Sequence, residues 1–254
     1  MKTERKTVVV TGAAGGMGQA ICRKFAVGGY FVVAGDTNAE RLMQTIGEIN
    51  RNGENGLAKP GDLRSKAYCE DLVDTAVSHT GRLDALVNNA GIITRGTILD
   101  TSDEDWERTF DINLKAVFYT CRRAIAFMKE NGGGSIVNIS STWGIYPGPS
   151  HAAYCASKAA VATFSKCLGR DHAGDAIRVN AVCPGEIDTP MLRSGFIHRG
   201  FDPDTAVAEL SKSNPLGRLG SPENIADAVY FLSSDAAGFI AGATLEVAGA
   251  KAVY

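Results

Sequence analysis

Tyr154 and Lys158 stand four residues apart, a spacing that places a phenol and an ammonium on one face of a helix, one turn from each other. A phenol ionises near pH 10 and is a poor base at neutral pH. A neighbouring ammonium favours the phenolate and moves its pKa towards the range a general acid/base needs. Taken alone, such a pair is usually a packed ring beside a solvated stem, so its meaning depends on its company. Thr7-Val8-Val9-Val10 runs into Thr11-Gly12-Ala13-Ala14-Gly15-Gly16-Met17-Gly18, and Gln19 to Val27 then has helical character. Strand, glycine-rich turn and helix N-terminus together aim bare backbone N–H groups and a positive dipole end at an anion. Glycines there let a pyrophosphate approach without a Cβ in the way. Asp36 closes the next strand, Phe31-Val32-Val33-Ala34-Gly35-Asp36, 18 residues after Gly18. An acid about 20 residues on is the one that binds a ribose hydroxyl in dinucleotide folds. Its carboxylate accepts from the adenosine 2′-OH and repels a 2′-phosphate, and neither Gly15 nor Thr37 is a compensating cation. NAD is favoured over NADP.

The elements that must hold these groups follow from two periodicities. Short β-branched runs recur at Thr7–Val10, Phe31–Ala34, Ala85–Val87, Ser135–Ile139, Arg178–Val182 and Ala243–Val247. Between them, Trp106, Phe110, Leu114, Val117, Phe118, Cys121 and Ile125 step by threes and fours and predict one apolar stripe on a long helix. Asn38 to Asn50 and Ser65 to His79 read as helices opened by a polar cap. This alternation predicts βαβ units and a parallel sheet with helices on both faces. No linker, repeat or charge block marks a second domain, so residues 1–254 are expected to form one unit. Met191 to Asn214 loses periodicity, and the segment at about 190–214 is expected to be a long loop serving as a substrate lid.

Composition narrows the function classes. Hydrophobic residues are 44% of the 254 and charged residues 21%, enough for a large core and too few charges for a disordered polymer. A formal net charge of −2 argues against a nucleic-acid or membrane-surface binder, which would carry a basic face. No apolar run reaches the length of a secretory h-region or a membrane span, so a cytoplasmic protein is expected. Cys22, Cys69, Cys121, Cys155, Cys167 and Cys183 lie far apart with no metal-ligand spacing, and reduced thiols without a bound metal are expected. Glycine is in excess, 29 residues, so the backbone turns tightly or approaches something closely at many points.

The glycine spacing T-G-x-x-x-G-x-G resembles that of the short-chain dehydrogenase/reductase superfamily. Asn88-Asn89-Ala90-Gly91 is similar to its N-N-A-G turn, Tyr154-Cys155-Ala156-Ser157-Lys158 to its Y-x-x-x-K, and Pro184-Gly185 with Thr189 to its P-G-x-x-x-T stretch. Ser141, thirteen residues before Tyr154, and Asn113 on the long helix also match, and the resemblance runs the length of the chain. One departure is the usual V-D-G-G near the C-terminus, here Val247-Ala248-Gly249-Ala250. The resemblance implies a single-domain Rossmann fold with a doubly wound, mostly seven-stranded parallel sheet. It also implies a homotetramer. Its implied chemistry is hydride transfer between a secondary alcohol or ketone and a nicotinamide cofactor, which supplies the hard step. Tyr154 would be the general acid/base, Lys158 would bind the nicotinamide ribose, Ser141 would hold the substrate oxygen, and Asn113 would anchor a proton-relay water. Gly12, Gly15, Gly16, Met17 and Gly18 would hold the pyrophosphate. Asp62 and Leu63 would meet adenine. Asn89, Ala90, Gly91, Pro184, Gly185, Ile187 and Thr189 would line the rest of the cofactor path.

For the substrate, the resemblance directs attention to Arg95, Trp143, His151 and Glu186 around Tyr154, and to Arg193, His198 and Arg199 in the lid. Turned inwards, that cationic lid cluster would suit a carboxylate, sulfonate or phosphate; turned outwards, it is a solvated face. The expected activity is NAD-dependent oxidation of a polar secondary alcohol, a sugar or an anionic hydroxy compound among them. Two other readings stay open: an NADP-dependent ketone or 3-oxoacyl reductase, and a non-catalytic NAD-binding sensor.

Overall fold

A computed structural model describes residues 5–51 and 53–251; residues 1–4, 52 and 252–254 of the expected 1–254 unit lie outside the described residues. The strands are β1 (Thr7–Thr11), β2 (Phe31–Asp36), β3 (Gly56–Pro60), β4 (Ala85–Asn88), β5 (Gly134–Ile139), β6 (Ile177–Pro184) and β7 (Thr244–Val247). They form one sheet in the order β3-β2-β1-β4-β5-β6-β7, and every neighbouring pair is parallel. The helices are α1 (Gly16–Val27), α2 (Ala39–Ile49), α3 (Lys66–Thr80), α4 (Asp103–Phe110), α5 (Ala116–Glu130), α6 (Ala152–His172), α7 (Pro190–His198), α8 (Pro203–Lys212) and α9 (Pro222–Ser233). No described helix is long and apolar enough to cross a membrane.

The Val8-Val9-Val10 run shows why both faces must be covered. Val8 and Val10 pack with Ile21, Phe25, Leu42, Ile225 and Val229 from α1, α2 and α9. Val9 points the other way, onto Leu72, Val117, Cys121 and Val161 from α3, α5 and α6. A strand buried on both faces reads as a continuous apolar run rather than an alternating one. Asn38 and Ser65 cap α2 and α3, their side-chain oxygens accepting from the Arg41 and Tyr68 backbone N–H at 3.0 and 3.3 Å.

Three details depart from the sequence reading. Strand β3, Gly-Leu-Ala-Lys-Pro, carries no β-branched residue and so gives no periodic signal; as an edge strand it pairs only with β2 and tolerates Pro60. The long helix is broken by a π-helical turn at Asp111–Lys115, and this rotates its stripe. Val117, Cys121 and Ile125 are buried, while Trp106 and Phe118 stay about two-fifths exposed, at 41% and 40%. The segment expected to be an aperiodic loop is helical instead. Thr189 and Asp202 cap α7 and α8, and a proline opens each helix. Ala250 has a left-handed backbone, φ 67°, a conformation that costs a residue with a Cβ but not glycine. It is the position where the resemblance leads one to expect a glycine.

Candidate active site

Strand order reverses between β1 and β4, and in open α/β sheets ligands sit beyond the carboxyl ends of the strands at such a point. Both strands there lead into glycine-containing turns. Gly12, at φ 65°, lies so close to the turn after β4 that a Cβ would stand 2.7 Å from Ala90 Cα. Asn89 locks the two turns together, its Nδ2 donating to the Thr11 and Gly12 carbonyls at 3.0 Å each. Its buried Oδ1 is left without a partner. Helix α1 has Gly15 as its N-cap, with no side-chain cap and no acid in the first turn, so its N-terminal donors stay open. These groups floor a cleft of about 370 Å³ running from Gly12–Gly18 past Asp36, Asp62 and Leu63. An anionic dinucleotide fits this donor set: bare N–H groups for phosphate and Asp36 for a hydroxyl.

Asp36 also has a structural task. Its carboxylate accepts from the Ala14 N–H at 3.0 Å and the Asn38 N–H at 2.9 Å, bracing the glycine turn. Arg41, which the sequence reading passed over, lines the same end of the cleft, and its guanidinium has no ion-pair partner among the described residues. Only its place one turn into α2 could have signalled it.

A second cleft of about 310 Å³ shares Met17, Asn89, Gly91, Ile92, Thr189 and Met191 with the first. Ser141, Tyr154, Lys158, Pro184, Gly185 and Ile187 line it. Helix α6 presents Tyr154 and Lys158 on one face, with the Lys158 Nζ 6.0 Å from the phenol ring centre. That Nζ donates to the Ile139 carbonyl at the end of β5, 2.9 Å away. Asn113, fully buried in the π-helical turn, is clamped by the Ile92 backbone: its Oδ1 accepts from the N–H at 2.8 Å and its Nδ2 donates to the carbonyl at 3.0 Å. The same Nδ2 reaches Ser157 Oγ on α6 at 3.0 Å. Asn113 and Lys158 converge on Gly91, where a Cβ would meet Lys158 Nζ at 3.0 Å and Asn113 Oδ1 at 3.3 Å. A π-turn at such a place is a common mark of a functional site.

Electrostatics in the second cleft differ from the sequence argument. Burial pushes the Tyr154 phenol up, only partly offset by its hydrogen bond with Ser141. Burial likewise pulls Lys158 down, to about 8. Burial strips hydrating water from both groups, which disfavours the phenolate and the ammonium alike. The Tyr154 phenol is therefore held protonated at neutral pH, the state of a proton donor.

The expected substrate residues divide. Arg95, Ser141, Trp143, Glu186 and Arg199 line the second cleft. His151 stands behind Trp143, ring centres 4.5 Å apart, with its Nδ1 2.7 Å from the Pro149 carbonyl oxygen. Arg193 is turned away and neutralised, donating to Asp188 at 2.7 and 2.9 Å and to Asp204 at 2.7 Å. His198 is exposed and lines neither cleft. The expected Arg193–His198–Arg199 cluster therefore does not form. Phe196 and Leu210, from α7 and α8, line the cleft and were not singled out from sequence, because in an apparent loop their helical register could not be seen.

A parallel sheet with this crossover point, a phosphate-type turn and a Tyr/Lys pair beside it define a nicotinamide-dependent oxidoreductase. Residues 6–199 match the family described as short chain dehydrogenase, and the chain belongs to that family. Among curated relatives, it is 41% identical over 244 residues to a cyclopentanol dehydrogenase of Comamonas sp. (strain NCIMB 9872), covering 96% of each chain. It is 39% identical over 251 residues to 3beta-hydroxysteroid dehydrogenase 1 of Eggerthella lenta, covering 98% of this chain and 94% of that one. A 3-oxoacyl-(acyl-carrier-protein) reductase of Thermotoga maritima is 37% identical over 251 residues, 98% of each chain. Among solved structures, an actinorhodin polyketide ketoreductase variant with NADPH superposes over 100% of both chains, with a TM-score of 0.95 and 34% identity. The protein is an NAD(P)-dependent dehydrogenase/reductase acting on alcohols or ketones.

Proposed function

We propose that the protein oxidises a secondary alcohol with NAD, using Tyr154 as general acid/base. The observation that carries this reading is the convergence of Ser141, Tyr154 and Lys158 on a cleft that opens into the dinucleotide cleft. The cofactor, when bound, accepts or donates the hydride. Ser141 holds the substrate oxygen beside the phenol. Tyr154 takes the hydroxyl proton in oxidation and returns it in reduction. Lys158 orients the nicotinamide ribose and, with Asn113, carries the proton onward. Trp143 and Phe196 wall the reacting carbon from water. Trp106 and Phe118, left exposed, are a face a second copy of the chain would cover, in keeping with a homo-oligomer.

The pH dependence follows from the direction of the Tyr154 shift. A raised phenol pKa keeps the acid form present up to alkaline pH, and the base form appears only above it. Ketone reduction, which uses the acid form, is expected to hold up to about pH 10 and fall only above it, while alcohol oxidation, which uses the base form, rises with pH towards and beyond that point. Initial rates of NADH formation and consumption on both sides of that point check this; an oxidation rate that does not change with pH contradicts Tyr154 as the base.

Preference for NAD rests on Asp36, whose charge opposes a 2′-phosphate, with Arg41 acting in the other direction. Asp36→Ala removes the repulsion and leaves Arg41. The ratio of kcat/KM for NAD⁺ over NADP⁺ is expected to fall about 100-fold, since like-charge contacts cost several kcal/mol. An unchanged ratio places the discrimination elsewhere. Comparable efficiency of the parent with both cofactors would instead favour the reductase reading, which the NADPH-bound neighbour keeps in view.

A further inference from the structure

The rim of the substrate cleft carries positive charge with nothing to balance it. Arg95, in the loop after β4, and Arg199, just past α7, both line that cleft. Both guanidinium groups close on Gly195. Arg95 Nη2 occupies the space a side chain there would need, 2.4 Å from an ideal Cβ, and Arg199 Nε donates to the Gly195 carbonyl at 3.0 Å. Two like charges drawn to one glycine repel each other, and the nearby His151, depressed chiefly by burial, is lowered further by both. No ion pair to either is found among the described residues. Glu186 is the single carboxylate lining this cleft among the described residues, and Lys251 takes both of its oxygens, at 2.8 and 2.7 Å. Arg193, by contrast, has two carboxylates of its own and faces away.

The loop that carries Arg95 is tied to the catalytic helix. The Gly96 N–H donates to the Ser150 carbonyl at 2.8 Å, and Gly96 bridges His151 immediately before α6. This anchors Arg95 at a fixed offset from Tyr154, while Arg199 rides on the cap of α7. Arg199 also lies over the Phe196 and Phe201 rings, 5.0 and 5.8 Å from their centres, but neighbouring guanidinium groups without a carboxylate partner are the arrangement that binds a carboxylate, phosphate or sulfonate bidentately.

We infer that Arg95 and Arg199 form an anion-recognition site, and that the substrate is a compact secondary alcohol bearing a carboxylate, phosphate or sulfonate group. This deepens the dehydrogenase reading and rests on it for the reacting end. Once bound, the anion would relieve the repulsion between the arginines and draw α7 onto the loop after β4, closing the cleft mouth.

The test compares 3-hydroxycyclopentane-1-carboxylate with its methyl ester as substrates for NAD⁺ reduction. The carboxylate is expected to have a kcat/KM at least about tenfold higher, mainly through KM, since only the carboxylate accepts charge-assisted hydrogen bonds from the two guanidinium groups. That preference should collapse towards parity in the Arg95→Ala/Arg199→Ala double variant and weaken with added sulfate, while Arg193→Ala retains it. Equal efficiency for the two substrates, or a preference that survives the double variant, overturns the inference and leaves the dehydrogenase reading intact. If no alcohol is turned over at all, the dehydrogenase reading fails. The anion site is then judged by calorimetry with cyclopentane-1-carboxylate and its amide. Carboxylate binding at least about tenfold tighter to the parent than to the double variant upholds the site, and no difference overturns it.

Discussion

Tyr154→Phe is expected to lower kcat about 1,000-fold in both directions while dinucleotide binding stays within a factor of about two. Removing a positioned general acid/base typically costs 10²–10⁴-fold, and among the described residues no other titratable side chain is hydrogen-bonded to the Ser141 side chain to replace it. The substitution removes one oxygen and leaves the ring packed edge-on against Trp143, 6.3 Å between centres, so the fold and cleft shape should persist. Stopped-flow turnover and NADH fluorescence titration on the same preparation separate the two effects. Turnover within tenfold of the parent would remove Tyr154 from the chemistry and favour the sensor reading.

The second large effect is structural. Gly18 faces the turn it closes: a Cβ there would lie 2.0 Å from the Gly12 carbonyl oxygen and 2.8 Å from Ala13 Cα. Both obstacles are backbone, so no side chain can swing aside and α1 must shift away from β1. Gly18→Ala is expected to cost about 3 kcal/mol, at the upper end for overpacking. For a domain of this size that is a fall of about 6–12 °C in Tm. NADH affinity should drop by about 100-fold, because the phosphate donors at the head of α1 move by a fraction of an ångström or more. Gly47→Ala is the control: it lies within α2 with nothing within 4 Å. It should stabilise by about 0.5–1 kcal/mol through helix propensity alone. If Gly18→Ala melts like the parent, the close approach of α1 to β1 does not control the cofactor cleft.

Much of the site could be read because its parts are local in sequence. The glycine turn lies within one strand–turn–helix unit, and Tyr154 and Lys158 within one helical turn, so spacing alone puts each set together. The cofactor path needed only the order of such units, and every residue expected along it lines one of the two joined clefts. Elements without a periodic signature escaped. Strand β3 is held by pairing with β2 rather than by its own composition. The π-turn that buries Asn113 depends on Ile92 and Ser157, 21 and 44 residues away.

Charge pairing was the least legible feature. In the chain, Arg193, His198 and Arg199 are neighbours and Arg95 is a hundred residues away. In the fold, Arg193 is neutralised by Asp188 and Asp204, and Arg199 meets Arg95 across Gly195 instead. Direction of ionisation was equally out of reach: an adjacent ammonium argues for a low phenol pKa, yet burial of both groups moves Tyr154 up and Lys158 down.

By itself, then, the sequence determined the parallel α/β sheet, the glycine turn after β1, the acid at the end of β2 and the Tyr/Lys pair, because hydrophobic period and short-range spacing encode them directly. Tertiary structure alone decided which cations line the second cleft and which are neutralised, and which way burial shifts Tyr154 and Lys158. Those outcomes depend on long-range contacts and on the water that burial removes, and neither is written in any local stretch of the chain.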